Sequence, residues 1–422
     1  MRTEKLLFRE GVKSSLITIA LLSLSLLFIN LQIYCLGIKL YGLLVLLLSL
    51  FGTINFINLG LGSALVSYYT NSREDRSIFW SMFFASFMFF LFLSLTIIII
   101  ISFQYKYIFN FLGIKEYPLN LYAFYGLGLI GISKLLMTIA SSYWQAKVDF
   151  VKLKFYSFLN VYLPITIIIV LYTFKKNLNL SLFFAGISNI LFIIAMVIYI
   201  FFRNKQIFKI KINRSLMKVF LKDGFQFQGI AIIDAFSNPV LNLLINKNFG
   251  LNYVSYFDIA LKLLRAMRQI IVAASEPFFG KLTELNNKNK KLLMKLIVIK
   301  YSKIITIISI LFLSFTVIFS KEILNLWVGE DLSNNTYIIV NIISTGFALN
   351  IASSVIYNYF LVSSYGRKHL FIHQLILLAM LFVIYFLHVT NVKYFCWLLA
   401  FSYSVSALYL FFVFKHFINK KI

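Results

Sequence analysis

Residues 92–101 read FLSLTIIIII and carry no charge, and apolar stretches of about twenty residues recur along the whole chain, with charged residues mostly confined to the short segments between them. A stretch of that length crosses the hydrocarbon of a bilayer as a helix, which pairs every backbone N–H and C=O within itself. An open strand would leave those groups unpaired in lipid, and a barrel strand needs strict apolar–polar alternation. Five consecutive isoleucines, Ile97–Ile101, break any such alternation. With 61% of residues hydrophobic and only 13% charged, the chain reads as an all-α polytopic membrane protein.

Twelve transmembrane helices are expected, at about 14–35, 41–64, 78–102, 120–143, 155–174, 180–202, 224–246, 254–279, 302–320, 337–362, 370–389 and 394–414. The N-terminal segment has a basic start and an apolar run but no small-residue cleavage site, so it is read as an uncleaved first helix. The net charge of +26 does not point to nucleic acid, because the basic residues sit in the connections. With the N-terminus inside, 28 of the 40 Lys and Arg residues fall on the inner side, 8 on the outer side and 4 within spans. That asymmetry predicts both termini in the cytoplasm.

Internal similarity divides the chain in two. Gly37 and Gly250 each follow an odd-numbered span and lie 213 residues apart; the segment Ile108–Gly113 (IFNFLG) recurs as Ile323–Gly329 (ILNLWVG) at an offset of 215–216; and the ends of spans six and twelve are 212 apart. These offsets predict two pseudo-symmetric six-helix lobes, 1–205 and 224–422, joined by a Lys-rich cytoplasmic linker at 206–223.

Span eight carries the chemistry. On a helical wheel, Asp258, Lys262, Arg265 and Gln269 share one stripe, with Arg268 on its flank. A cation at the centre of a membrane helix costs about 2.5–3.5 kcal/mol, so three on one face should line a hydrated or protein-filled interior and meet an anion. Arg suits a diphosphate because its planar fork donates two parallel hydrogen bonds. Span seven places Gln228, Asp234, Asn238 and Asn242 on one face, and span four carries Lys134. Candidate substrate contacts are therefore Lys262, Arg265, Arg268, Lys134, Gln228, Asn238, Asn242 and Gln269. Asp234 and Asp258 are candidates for ion coupling or for fixed counter-ions.

Other signals have plainer readings. Gly126–Gly131 (GLGLIG) matches GxGxxG but lies inside an apolar span, where it reads as helix packing. His369 and His373 are four apart with no third ligand nearby, so no metal is expected. Cys35 and Cys396 have no metal or redox spacing and read as free thiols. No Walker loop, HExxH or GxSxG is present, and no catalytic residues or cofactor are expected beyond a coupling H+ or Na+.

Leu36-Gly37 followed by Tyr41-Gly42, the segment Asn58–Gly62 (NLGLG), Gly250–Lys262 (GLNYVSYFDIALK) and Leu326–Gly329 (LWVG) together resemble the Wzx family of O-antigen and capsule flippases, within the multidrug, oligosaccharidyl-lipid and polysaccharide exporter superfamily. Many relatives have Asp-Leu-Gly where this chain has Asn58, which leaves no charge for that position. The resemblance implies a MATE-like pair of lobes around a cationic cavity and alternating access. It implies that an undecaprenyl-diphosphate-linked oligosaccharide moves from inner to outer leaflet for lipopolysaccharide or capsule synthesis, alongside a polymerase and a chain-length regulator. In that picture the diphosphate meets Lys262, Arg265 and Arg268, and the sugars meet Gln228, Asn238 and Asn242. A cation-coupled multidrug exporter of the same superfamily is the main alternative, although drug cations favour acidic cavities. A lipid II flippase usually has fourteen spans. A polysaccharide polymerase typically has a large external loop, whereas the longest outer segment here is about 103–119.

Overall fold

A computed structural model describes residues 2–58, 62, 65–66, 77–114, 117–147, 149–203, 233, 235–273, 282, 285, 291–362 and 364–419. Those residues form helices and no strand. In chain order they are α1 (Arg2–Leu36), α2 (Ile38–Gly52) with a 3-10 turn (Thr53–Asn58), α3 (Ser77–Ser102), α4 (Tyr105–Phe111), α5 (Leu121–Ala146), α6 (Phe150–Lys175) and α7 (Leu178–Arg203). Then come α8 (235–249), α9 (Leu251–Ala273), α10 (Lys291–Val328), α11 (Glu330–Ala352), α12 (Ser354–Val362), α13 (Ser364–Phe386) and α14 (Val392–Asn419). Among the described residues, ten helices are long and apolar enough to cross a membrane. The two further expected spans fall on α8, most of whose expected first half lies outside the described residues, and on α9, which carries four charges.

The chain divides into two compact units, residues 1–243 and 244–422. The division lies inside α8, and the expected linker at 206–223 is outside the described residues. In the first unit α5 is the central helix: 78% of its apolar window is buried, against 11% for α1. It packs on α7, α3, α6 and α2. In the second unit α11 has the same place, packing on α10, α14 and α9. Span four against spans two, three and six in one unit thus matches span ten against eight, nine and twelve in the other.

Backbone detail repeats too. Gly37, Gly113, Gly250 and Gly329 all have positive φ, from +69° to +88°, at the positions the internal similarity aligns. The central crossings are built alike: a Cβ on Gly126 would sit 2.2 Å from the Leu182 carbonyl oxygen on α7, and one on Gly346 would sit 2.3 Å from that of Ala400 on α14. The GxGxxG run is therefore a packing face, as expected; its last glycine, Gly131, meets the Phe51 carbonyl at the end of α2.

Three expected elements differ. Span two, expected as one helix to residue 64, stops at Gly52 and tightens into a 3-10 turn, with Thr53 Oγ1 donating to the Leu50 carbonyl at 2.6 Å. Span ten breaks at Ser353, whose Oγ donates to the Asn350 carbonyl at 2.8 Å. Span nine, expected to end at residue 320, runs on to Val328 in α10, a helix of 38 residues that turns into α11 at Gly329. Both thiols are free; Cys396 is buried and Cys35 half-buried.

Candidate functional site

α9 begins at Gly250, whose φ of +86° lets the chain reverse directly out of α8. No Gly or Pro interrupts Leu251–Ala273, and the helix sorts its residues by face. Val254, Phe257, Ala260, Leu261 and Leu264 are buried. The helix packs on α11, and Phe257 meets Phe395 of α14 edge-on at 5.5 Å. Asp258, Lys262, Arg265 and Arg268 are all half-buried, and Gln269 is exposed. The polar stripe thus runs along the part of α9 that the core of its own unit does not take up.

Lys262 and Asp258 form an i,i+4 ion pair at 2.8 Å, with side chains 35% and 13% exposed. Each offsets the other, and Arg265 and Arg268 follow on the same stripe. Those two guanidinium-bearing residues are three positions apart, about 4.5 Å along the axis, a spacing that a diphosphate can bridge.

In the first unit, two expected contacts meet at the last turn of α2. Lys134, half-buried on α5, has its Nζ 3.5 Å from the Leu48 carbonyl, and a Cβ on Gly52 would lie 3.4 Å from the same nitrogen. The carbonyls at a helix C-terminus lack intrahelical donors and attract a cation. Among the described residues no carboxylate lies within 4 Å of Lys134. Asn242 is 8% exposed and donates from Nδ2 to Ser49 Oγ at 3.0 Å, so its amide holds α8 against α2. Asn238, one turn earlier, is exposed. Gln228 and Asp234 lie outside the described residues.

Among the described residues no group of three His, Cys, Asp or Glu side chains could hold a metal. His369 and His373 are instead bound to α14: His369 Nδ1 is 2.8 Å from Tyr409 Oη, and His373 Nδ1 is 2.9 Å from the Ser406 carbonyl. Sequence spacing brings out the histidines only as a pair.

No family profile matches the chain, and no curated protein matches it. Solved structures do. An inward-facing multidrug resistance MATE family transporter of the MOP superfamily matches with a TM-score of 0.76 at 14% identity, over 96% of this chain and 98% of that one. The lipid II flippase MurJ, in an inward closed conformation, matches with a TM-score of 0.71 at 17% identity, over 96% of this chain and 87% of that one. A MOP superfamily transporter from Pyrococcus furiosus, described as having a binding pocket of reverse polarity, matches with a TM-score of 0.67 at 13% identity, over 98% and 96%. The chain therefore has the all-helical, two-lobed fold of the MOP superfamily transporters, MATE-like along essentially its whole length.

Proposed function

We propose that this chain is a transporter, not an enzyme, and that it flips an undecaprenyl-diphosphate-linked oligosaccharide from the inner to the outer leaflet of a bacterial cytoplasmic membrane, for O-antigen or capsule synthesis. The observation that carries this reading is the half-buried α9 stripe, where Arg265 and Arg268 follow the Asp258–Lys262 pair and three bases stand against one acid on the helix. Paired guanidinium groups at membrane depth are costly unless they meet an anion, and they suit a diphosphate. Lys134 is a further candidate contact for the headgroup, and the exposed amides of Asn238 and Gln269 for sugars. Asp258 serves Lys262 as counter-ion, which leaves Asp234 as the acid for a coupling H+ or Na+. A polymerase and a chain-length regulator are the expected partners, and both termini are expected in the cytoplasm.

Solved structures of similar fold include multidrug resistance transporters, and one transporter is described as having a binding pocket of reverse polarity that suggests a different function. Polarity thus discriminates between the readings, and a basic stripe is poorly matched to organic cations. Arg265→Ala and Arg268→Ala should each lower surface polysaccharide at least tenfold at unchanged protein level, a loss of about 1.4 kcal/mol or more in headgroup binding. Lipid-linked repeat units should accumulate in the inner leaflet. Full export by both variants would overturn the reading.

A further inference from the structure

Pro164 lies in the interior of α6 and has no N–H, so the carbonyl of Asn160, one turn earlier, has no donor at the usual place in its own helix. That carbonyl is bound all the same. Asn189 on α7 donates to it from Nδ2 at 3.1 Å, and the same amide nitrogen donates to Ser133 Oγ on α5 at 2.5 Å. A carbonyl only accepts, so the amide nitrogen of Asn189, not its oxygen, faces Asn160. Ser133 passes its own hydrogen to the Ile130 carbonyl at 2.7 Å. All three residues are buried where α5, α6 and α7 pack together. A side chain of α7 thus replaces a missing backbone bond of α6.

The two halves of α6 are held differently. Before the proline, Lys154 bonds Thr18 of α1, Tyr156 stacks on Trp144 of α5 at 5.7 Å, and Tyr162 meets Phe28 of α1 at 4.9 Å. After it, the side-chain hydrogen bonds among the described residues stay within α6: Thr166 Oγ1 donates to the Tyr162 carbonyl and Thr173 Oγ1 to the Val170 carbonyl, both at 2.8 Å. Ile168 and Ile169 are buried there, while Val170 and Phe174 are exposed. A hydroxyl bonding back one turn beside a proline favours a bend. The amide arrangement is also incomplete: Asn160 Oδ1 and Asn189 Oδ1 are buried with no hydrogen-bond partner among the described residues. Each such oxygen weakens the closed state. A side-chain amide, unlike a backbone N–H, can rotate away without unwinding a helix.

We infer that α6 is a jointed helix, with Pro164 as the joint and the Asn189 amide as its latch, so that the half from Pro164 to Lys175 swings within the first unit when the amide lets go. Pro164 to Phe174 is about 15 Å along the axis, and a swing of about 20° carries the far end about 5 Å. The joint is independent of the cargo proposed above.

The test uses the full chain in nanodiscs. Asn189→Leu strands the Asn160 carbonyl and should lower the melting temperature by roughly 5 °C. Pro164→Ala returns a backbone donor to that carbonyl, so in its background Asn189→Leu should cost less than half as much. Ser133→Ala removes the other partner of the amide and should cost the same in both backgrounds. Equal losses from Asn189→Leu in both backgrounds overturn the latch. If Asn189→Leu gives no folded protein, adding Pro164→Ala must recover it, and a double variant that stays unfolded while Pro164→Ala folds overturns the latch as well. Motion is read separately, by pulsed electron resonance between nitroxides at Ile100→Cys on α3 and Phe174→Cys on α6, both exposed, with Cys35 and Cys396 replaced. The expected wild-type distances spread over about 5 Å, with Pro164→Ala narrowing them and Asn189→Leu moving them to the open end. One narrow distance shared by the wild type and Asn189→Leu overturns the joint, whatever the melting temperatures show.

Discussion

Asp258 and Lys262 show how burial decides what an intramembrane charge is for. Their 2.8 Å pair is one turn of α9, with Asp258 the more enclosed partner. An exposed pair of this spacing contributes about 0.3–0.5 kcal/mol, whereas stranding one partner of a buried pair costs about 3–5 kcal/mol. This pair lies between those limits, and the larger penalty falls on removing the lysine and leaving the carboxylate. Lys262→Gln should therefore lower the folded yield, measured by fluorescence-detected size exclusion, more than Asp258→Asn does, and the Lys262→Gln/Asp258→Asn double variant should recover towards the wild type. A double variant as poor as the worse single change would show that the pair does not act as a unit. The stripe itself was legible from sequence because spacing alone puts these side chains on one face. The fate of Asn242 was not: its amide meets Ser49, 193 residues away in the chain, and no helical wheel contains that contact.

At the level of elements, the central crossings fix each unit. A Cβ at Gly126 would overlap the Leu182 carbonyl, and a Cβ at Gly186 would lie 2.4 Å from the Gly126 carbonyl oxygen. Neither neighbour is a flexible side-chain tip, so the helices must separate, at about 1–3 kcal/mol for even one methyl group. Gly126→Ala and Gly346→Ala should both reduce thermal stability in detergent, with export falling only in proportion to folded protein. Gly37→Ala has open space around the added methyl, yet φ +78° with ψ 159° is a conformation held essentially by glycine alone, so its cost is backbone strain of about 1–3 kcal/mol rather than overlap. A transport defect in Gly126→Ala at normal stability would assign the crossing a role in the transport cycle. Helix existence was readable from apolar length, and the paired glycines were readable from the offset. The breaks at Gly52 and Ser353 were not, because each depends on a serine or threonine hydroxyl bonding back to the helix and, at Gly52, on how closely α5 approaches.

For the whole molecule, the two units repeat one packing scheme around α5 and α11, although sequence similarity between them survives only in short motifs. A repeat of six spans would return the chain to the side where it began, so one charge rule is expected to hold for each unit. With 28 of 40 basic residues on one side, each unit makes the same prediction separately. The α6–α7 connection at Lys176-Asn177 and the α13–α14 connection at Thr390-Asn391 occupy matching places and should both face outwards. Lys147, between α5 and α6, should face the cytoplasm. In a background with Cys35 and Cys396 replaced, cysteines at 177 and 390 should react with an impermeant maleimide in intact cells, and a cysteine at 147 only after permeabilisation. Asn391 accepts from Lys393 N at 2.9 Å, so the second probe belongs on its neighbour, whereas Asn177 itself accepts from Leu180 N at 3.1 Å, a helix cap that the first probe gives up. Opposite labelling of 177 and 390 would mean that the second unit is inverted relative to the first. The repeat would then be related by an axis in the membrane plane, and the expected linker at 206–223 would have to cross the bilayer, which its five basic residues oppose.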